Sequence, residues 1–91
     1  KIIIGIPPYL KKEMAEKLFQ PSGFYSYCTN NLPVLRKELI NLCNKYSLIY
    51  VDFYSLTLYH MDSDIYLDGV HLNSIGNNLL FNELLKVMNL L

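Results

Sequence analysis

The run Ile2-Ile3-Ile4-Gly5-Ile6, which Pro7-Pro8 follows, decides the fold of this 91-residue chain. The run is continuously apolar and rich in β-branched side chains. A strand with one face in water alternates between apolar and polar residues, whereas an uninterrupted apolar run is typical of a parallel sheet covered by helices on both faces. Because proline has no N–H to donate to a sheet, the strand is expected to stop before Pro7. We therefore predict a strand over Lys1–Ile6 in a parallel sheet.

A second strand is predicted after an amphipathic helix. Asn30 or Asn31 can cap a helix that has Pro33 in its first turn and runs to about Lys45. Apolar side chains recur along it at helical spacing, at Leu35, Leu39, Leu42, Cys43 and Tyr46. The segment Leu48–Tyr54 then has the pattern of a strand. A strand, a helix and a second strand of these lengths predict a right-handed parallel crossover.

The other segments connect or complete these elements. Tyr9–Asn31 is a long connection with a helical patch over Lys11–Phe19, and such connections in α/β enzymes often line the mouth of the active site. Ser55–Leu67 is expected to be a loop, and Asn73 or Ser74 can cap a last amphipathic helix. The order β, long connection, α, β, loop, α predicts an α/β fold that is half of a doubly wound parallel sheet.

Composition favours a chain that needs a partner. Hydrophobic residues make up 52% of the sequence, yet a chain of this size buries only about 60–65% of the surface that its unfolded form exposes. The chain also starts at Lys1, inside its first predicted strand. We therefore expect residues 1–91 to be the C-terminal part of a single larger domain, or a chain that associates with another through its sheet edge.

Charge and cysteine content exclude several classes of partner. Lys and Arg together number 8, as do Asp and Glu, so no basic surface for nucleic acid or anionic lipid is expected. The apolar runs are far shorter than the roughly 20 residues of a membrane span. Cys28 and Cys43 lack zinc-site spacing, and Cys43, on an apolar helix stripe, is predicted to be a buried free thiol rather than half of a disulfide. Two thiols without a disulfide framework favour a reducing compartment such as the cytoplasm, although the compartment of a longer protein stays open.

The stretch Asp68-Gly69-Val70-His71 predicts chemistry. A carboxylate three residues before a histidine on a glycine-containing loop can hold one ring nitrogen and leave the other free to take a proton from a nucleophile. The motif follows the predicted strands at the edge where open α/β sheets place their sites. Alternatively, Asp68 only caps its loop and His71 is a structural histidine. No serine lies at a strand-to-helix turn, so either the nucleophile comes from sequence outside this chain or the pair does no hydrolysis.

These residues give the chain a resemblance to the C-terminal part of the GDSL-type (SGNH) serine esterase and lipase superfamily. The matching features are the strand that ends at Pro7-Pro8, the strand Tyr50-Val51-Asp52-Phe53, and the motif Asp68-Gly69-Val70-His71-Leu72-Asn73 with Gly76-Asn77 in the last helix. Among its members, the chain is most similar to isoamyl acetate-hydrolysing esterases and related small acylhydrolases. The resemblance spans nearly the whole chain, and its specific motif lies within Asp68–Asn77.

The resemblance implies the C-terminal half of a flavodoxin-like three-layer sandwich and the chemistry of a serine ester hydrolase. It implies that His71 is the general base and that Asp68 orients it, with a small ester as substrate. In the family, the Gly-Asp-Ser block with the nucleophile and the oxyanion-hole residues precede the strand matched by Ile2–Ile6, so the isolated chain is expected to be inactive. A competing hypothesis is a non-catalytic interaction module derived from the same fold.

Other candidate residues have structural interpretations. Asp52 is predicted to be structural rather than catalytic, and His60, which has no carboxylate at a suitable spacing, is predicted to lie at the surface or the substrate mouth. Asp62, Asp64 and Asp68 do not match a calcium loop, so neither a metal nor a cofactor is expected. Aromatic residues could line an acyl or alcohol pocket or could simply pack, namely Tyr9, Phe24, Tyr25, Tyr27, Tyr59 and Tyr66.

Overall fold

The computed structural model describes residues 2–19 and 23–90, which form a mixed α/β structure. Two parallel strands and four helices are found in these residues. In chain order the elements are β1 (Ile3–Ile6), α1 (Lys12–Leu18), α2 (Gly23–Lys45), β2 (Ile49–Asp52), α3 (Phe53–Tyr59) and α4 (Ser74–Asn89). The predicted α/β class is confirmed at this level.

The parallel pairing of β1 with β2 is confirmed by the register of the sheet, in which Ile3 faces Ile49 and Ile6 faces Asp52. Helix α2 contacts both strands, α3 contacts β1, and α4 contacts β2. Because the strands run in the same direction, Pro7 and Phe53 leave the sheet at the same edge. The segments that follow the two strands therefore start side by side.

Helix α2 begins earlier than the sequence pattern predicts. We expected a start near Asn30 or Asn31, but the helix begins at Gly23 and contains Pro33 in its interior. Asn31 does not cap a helix; its side-chain amide donates to the carbonyl oxygen of Tyr27 at 2.7 Å. The Thr29 hydroxyl likewise donates to the carbonyl of Tyr25 at 2.8 Å. Polar groups that could have started a helix thus bind carbonyls of the preceding turn, and the helix continues through them.

Helix α3 occupies residues that were predicted to end a strand and begin a loop. Strand β2 stops at Asp52, and Phe53–Tyr59 is helical. Asp52 is the N-cap, and its Oδ1 accepts a hydrogen bond from the Ser55 amide at 3.1 Å. This cap satisfies an amide that the first turn of a helix leaves unpaired, which explains the change from strand to helix at Asp52.

Arg36 of α2 also binds Asp52. Nε of the guanidinium donates to Oδ2 of Asp52 at 2.9 Å, and Nη2 lies 2.8 Å from the same oxygen. Partial burial of Asp52 opposes its ionisation, but the hydrogen bonds from Arg36 and Ser55 outweigh this effect and lower the pKa of the carboxyl below its ordinary value. One carboxylate therefore joins α2, β2 and α3, and the structural interpretation of Asp52 is confirmed.

The core is small for so apolar a chain. The buried hydrophobic residues among those described are Ile6, Leu10, Ala15, Cys43, Val51, Ile65 and Tyr66. Cys43 is buried and free, as predicted. The buried hydroxyl of Thr57 accepts from the amide of Tyr9 at 2.8 Å and donates to the carbonyl of Phe53 at 2.8 Å, which ties the segment after β1 to α3.

Many large apolar side chains lie at the surface of the two long helices. On α2 they are Tyr27, Val34, Leu35 and Leu42. On α4 they are Ile75, Phe81, Leu85 and Met88. Within the described ranges, no helix combines the length and the apolarity needed to cross a lipid bilayer. Both long helices therefore expose several large apolar side chains.

Replacement of Asp52 should separate its two roles. We expect Asp52→Ala to lower the free energy of unfolding by about 1–2 kcal/mol, because it removes the cap of α3 and leaves Arg36 without its partner. We expect Asp52→Asn to cost roughly half as much, because the amide oxygen can still accept from Ser55. Urea unfolding of the three proteins measures the difference, and equal stabilities would contradict the assigned cap.

Candidate active site

Asp68 and His71 form the contact that the sequence spacing predicts. Oδ2 of Asp68 lies 2.7 Å from Nδ1 of the His71 ring. The other oxygen, Oδ1, accepts from the backbone amides of Val70 at 2.8 Å and of His71 at 2.6 Å. The carboxylate therefore caps its own loop with one oxygen and holds the imidazole with the other. Both contacts considered for Asp68, the cap of its own loop and the contact with the His71 ring, are present.

A short antiparallel pairing closes the loop that carries this pair. The amide of Leu67 donates to the carbonyl of His71 at 2.8 Å, and the amide of Asn73 donates to the carbonyl of Ile65 at 2.9 Å. Tyr66 and Leu72 form a β-bridge between these bonds. Residues 68–71 are thus the tip of a loop whose two arms are hydrogen-bonded to each other, which fixes the histidine at its base.

Asn73 anchors this loop to helix α4, and its predicted capping role is confirmed. Its Oδ1 accepts from the amide of Gly76 at 2.9 Å, and its Nδ2 donates to the carbonyl of Asp64 at 2.9 Å. Gly76 lies so close to the carbonyl oxygen of Ile65 that a Cβ at this position would overlap it. The small residue at Gly76 therefore allows the helix to start directly against the loop.

Gly69 attaches the tip of the loop to the start of α1. Its φ of +92° belongs to the left-handed region that favours glycine, and a Cβ there would lie 2.5 Å from the carbonyl oxygen of Lys11 and 2.7 Å from the amide nitrogen of Ala15. The carbonyl of Gly69 accepts from the Lys11 amide at 2.9 Å. The segment after β1 therefore supports the loop that bears Asp68 and His71.

The hydrogen bonds of Asp68 fix its charge and the tautomer of the histidine. The backbone amide of His71, the His71 ring and the Val70 amide lower the pKa of Asp68 from 3.8 to about 2. An ionised carboxylate only accepts hydrogen bonds, so Nδ1 of His71 must carry the proton. In the neutral ring, Nε2 is then unprotonated and able to accept a proton. The His71 side chain is 72% exposed, so this nitrogen is accessible.

No serine of residues 2–19 and 23–90 completes a triad with this pair. The described serines are Ser26, Ser47, Ser55, Ser63 and Ser74, and none of their hydroxyls is hydrogen-bonded to His71. Ser55 lies in the first turn of α3, directly after β2, so the expectation that no serine occupies a strand-to-helix turn was wrong. Ser22 lies outside the described residues. His60, the other histidine, packs edge-on against Tyr59 with ring centroids 5.1 Å apart and has no carboxylate partner in the described structure. The Asp68–His71 pair is the better candidate for proton transfer.

A groove of about 480 Å³ is lined mainly by the segment after β1, the same segment that supports the Asp68–His71 loop. Its walls come from Thr29 of α2, from Met61 after α3 and from six residues after β1, namely Tyr9, Lys11, Lys12, Glu13, Met14 and Glu16. The long connection after β1 was predicted to line a mouth, and Tyr9 and Thr29 belong to it. Met14 belongs to the same connection, whereas the contribution of Met61 was not predicted, because this residue comes from a separate segment. Across the described parts of the chain, no three His, Cys, Asp or Glu side chains converge as they would around a metal ion.

The aromatic residues around this region have different roles. Tyr66 is buried, and its hydroxyl donates to the carbonyl of Tyr9. The Tyr9 ring packs edge-on against Tyr54, with centroids 5.9 Å apart, and also contributes to the groove. Tyr59 is exposed and lies away from the groove lining. Packing is therefore the role of Tyr66, whereas Tyr9 both packs and lines a cavity.

Substitution of Gly69 should disturb the loop more than substitution of a glycine in open space. We expect Gly69→Ala to lower the free energy of unfolding by about 1–3 kcal/mol, because of its positive φ and the contacts with α1. Gly23→Ala is the matched control, since a Cβ at Gly23 has no neighbour within 4 Å. Because the chain has no tryptophan, urea unfolding of the two variants is followed by far-ultraviolet circular dichroism. Equal losses of stability would contradict the described loop geometry.

The titration of Asp68 tests the hydrogen bonds around its carboxylate. We expect a carboxyl ¹³C signal with a midpoint near pH 2 rather than 3.8. A lowered pKa means that the stabilising contribution of Asp68 is complete above pH 3.8 and disappears as the pH falls through about 2. In His71→Ala the midpoint should rise but stay below 3.8, because both backbone amide donors remain. A midpoint at 3.8 in the unsubstituted protein would refute the assigned contacts.

Comparison with known proteins adds no relative to this description. No protein-family model, curated protein or solved structure shows a significant match to the chain. The functional interpretation therefore depends on the geometry of the Asp68–His71 pair.

Proposed function

We propose that this chain supplies the Asp-His part of a Ser-His-Asp triad in a serine ester hydrolase of the GDSL (SGNH) type. The observation that supports this most directly is the 2.7 Å contact between Asp68 Oδ2 and His71 Nδ1, with the ring exposed on its other side. An oriented, accessible imidazole whose second nitrogen is unprotonated is what a general base requires.

In the proposed reaction, Nε2 of His71 removes the proton of a serine hydroxyl while the serine oxygen attacks the carbonyl carbon of the ester. Asp68 stabilises the imidazolium that results. The imidazolium then gives its proton to the departing alkoxide, and an acyl-serine and an alcohol are formed. Water, activated by the same nitrogen, hydrolyses the acyl-serine to a carboxylic acid and restores the free serine.

The nucleophile is proposed to come from outside residues 1–91, together with the oxyanion-hole donors. In this proposal the two strands and their helices are the C-terminal half of a flavodoxin-like three-layer sandwich, and a half with the Gly-Asp-Ser block completes it. The exposed apolar side chains of α2 and α4 are consistent with such a missing half.

A non-catalytic interaction module is a second candidate, favoured by the same exposed helix faces. An uncovered apolar surface of this kind also suits a chain that binds another protein without any reaction. The two candidates differ in one respect, because only the hydrolase depends on His71. Replacement of this histidine therefore separates them.

The test measures hydrolysis of p-nitrophenyl acetate by the full chain, alone and after addition of a family segment that bears the Gly-Asp-Ser block. Alone, the chain should have no activity above that of its His71→Ala variant. The combined proteins should hydrolyse the ester, and His71→Ala should lower kcat/KM by roughly a thousandfold or more. Asp68→Asn should also lower it strongly, because the amide favours the wrong tautomer of His71.

His60→Ala is the matched control, since it removes the other histidine, which has no carboxylate partner in the described structure. It should leave kcat/KM within about twofold of the unsubstituted value. If the two proteins form a folded complex, as measured by size-exclusion chromatography and circular dichroism, but that complex has no His71-dependent turnover, the interaction-module candidate replaces the hydrolase.

A further inference from the structure

We infer that Tyr66, beyond its packing in the core, is a positioning residue for His71. Its hydroxyl holds the loop that carries Asp68 and His71 against the segment that follows β1. The inference rests on the proposed function and deepens it, because it names a residue outside the triad on which proton transfer by His71 depends. Tyr66 acts through the backbone of the loop and not by contact with the reacting atoms.

Tyr66 lies on one arm of the loop, and the catalytic histidine lies at the base of the other. Tyr66 forms the β-bridge with Leu72, the residue that follows His71. Next to this bridge, the Leu67 amide donates to the carbonyl of His71 at 2.8 Å. Because backbone bonds join the two arms, a displacement of the Tyr66 arm also displaces His71.

The side chain of Tyr66 connects this arm to the segment after β1. Its hydroxyl donates to the carbonyl of Tyr9, and the amide of Tyr9 donates to the buried hydroxyl of Thr57 at 2.8 Å. The acceptor of Tyr66 is therefore itself fixed to α3. Tyr66 is only 4% exposed, so water cannot readily take the place of its hydroxyl. The bond thus fixes the loop relative to the edge of the sheet.

A second bond attaches the tip of the same loop to the same segment. The Lys11 amide donates to the carbonyl of Gly69 at 2.9 Å, and the Lys11 ammonium lies 5.8 Å from the ring centroid of Tyr66. Tyr66 and Gly69 are thus two separate attachment points on residues 9–11. Two points fix the orientation of the loop, whereas the Gly69 bond alone leaves it free to pivot.

The Tyr66 hydroxyl keeps its proton at the pH at which a histidine acts as a base. Burial of this side chain raises the pKa of the hydroxyl above its ordinary value of 10.0. The group therefore stays a hydrogen-bond donor at neutral pH, and the attachment to Tyr9 is present whether His71 is neutral or protonated.

Tyr66→Phe tests the inference, because it removes the hydroxyl and keeps the ring. Amide hydrogen exchange of the full chain, measured by nuclear magnetic resonance, reports on the bonds that the Lys11, Leu67 and Asn73 amides make at the loop. In Tyr66→Phe we expect exchange at these three amides to accelerate by about tenfold. Exchange at the Leu48 amide, which is bonded to the last turn of α2, should change by less than about twofold.

Two further variants control for other causes. Tyr59→Phe makes the same substitution at an exposed tyrosine and should leave all four amides within about twofold of the unsubstituted protein. Cys43→Ala removes buried volume from α2 and should accelerate exchange at Leu48 more than at the loop. In Tyr66→Phe, equal acceleration of all four amides would indicate a general loss of stability, and no acceleration would leave only the ring with a role. Either result overturns the inference.

Hydrolysis of p-nitrophenyl acetate by the chain combined with the Gly-Asp-Ser segment connects the position of the loop with catalysis. Tyr66→Phe should lower kcat by about tenfold to a hundredfold and keep KM within about twofold, because a misplaced base slows proton transfer without changing how the ester binds. Cys43→Ala should leave kcat within about twofold. An unchanged kcat in Tyr66→Phe, when turnover depends on His71, would overturn the positioning role.

The two measurements separate this inference from the proposed function. If the loop amides respond selectively to Tyr66→Phe but the folded complex has no His71-dependent turnover, Tyr66 positions the loop and the proposed reaction is wrong. If turnover depends on His71 but neither the loop amides nor kcat respond to Tyr66→Phe, the reaction stands and the role of Tyr66 is wrong.

Discussion

The parallel pairing of β1 with β2 is the constraint on which the rest of the structure depends. Each strand has only four residues, and the register places Ile6 opposite Asp52 at their carboxyl ends. Both following segments therefore begin at one edge of the sheet. There the Thr57 hydroxyl binds the amide of Tyr9, and the Tyr66 hydroxyl binds its carbonyl. Both backbone polar groups of Tyr9 are satisfied by side chains from the second half of the chain, which joins the two halves at this edge.

Three short polar side chains then decide where the elements after the sheet begin. Asp52 starts α3, Asn73 starts α4, and Asp68 closes the loop between these helices. Each one satisfies backbone amides that would otherwise lack a partner, and each has a second bond that links it to another group. For Asp52 this group is Arg36, and for Asp68 it is the ring of His71. The candidate site is therefore built with the same local chemistry that organises the rest of the fold.

Features with a single local interpretation were predicted from the sequence, whereas features whose residues suit two structures, or which combine distant residues, were missed. The strands, the cap at Asn73 and the Asp68–His71 contact depend on neighbouring residues or on a continuous apolar run, and all were predicted from the sequence. Helix α3 was missed because the pattern of Leu48–Tyr54 predicts a strand and Ser55–Leu67 was expected to be a loop, whereas the cap at Asp52 together with Arg36 starts a helix at Phe53. The early start of α2 was missed because Thr29 and Asn31 bind carbonyls of the preceding turn, although both residue types also favour helix starts. The lining of the groove by the long connection after β1 was predicted, but the contribution of Met61 was not, because this residue comes from a separate segment and no local pattern relates it to Met14 and Thr29.

The exposure of His71 connects the proposed chemistry with the uncovered apolar surface. An ion pair in contact with water contributes little, because solvent and salt screen it, whereas exclusion of water strengthens every electrostatic interaction within a site. His71 is mostly exposed, so the carboxylate can orient the ring but cannot stabilise an imidazolium strongly while water surrounds it. The proposed hydrolase therefore needs a surface that covers His71 as well as a serine for it to activate.

The same chain leaves large apolar side chains on α2 and α4 uncovered. A second polypeptide segment that packs on these helices and reaches the loop would meet both needs at once, because the apolar contacts would supply the binding energy and the excluded water would strengthen the Asp68–His71 interaction.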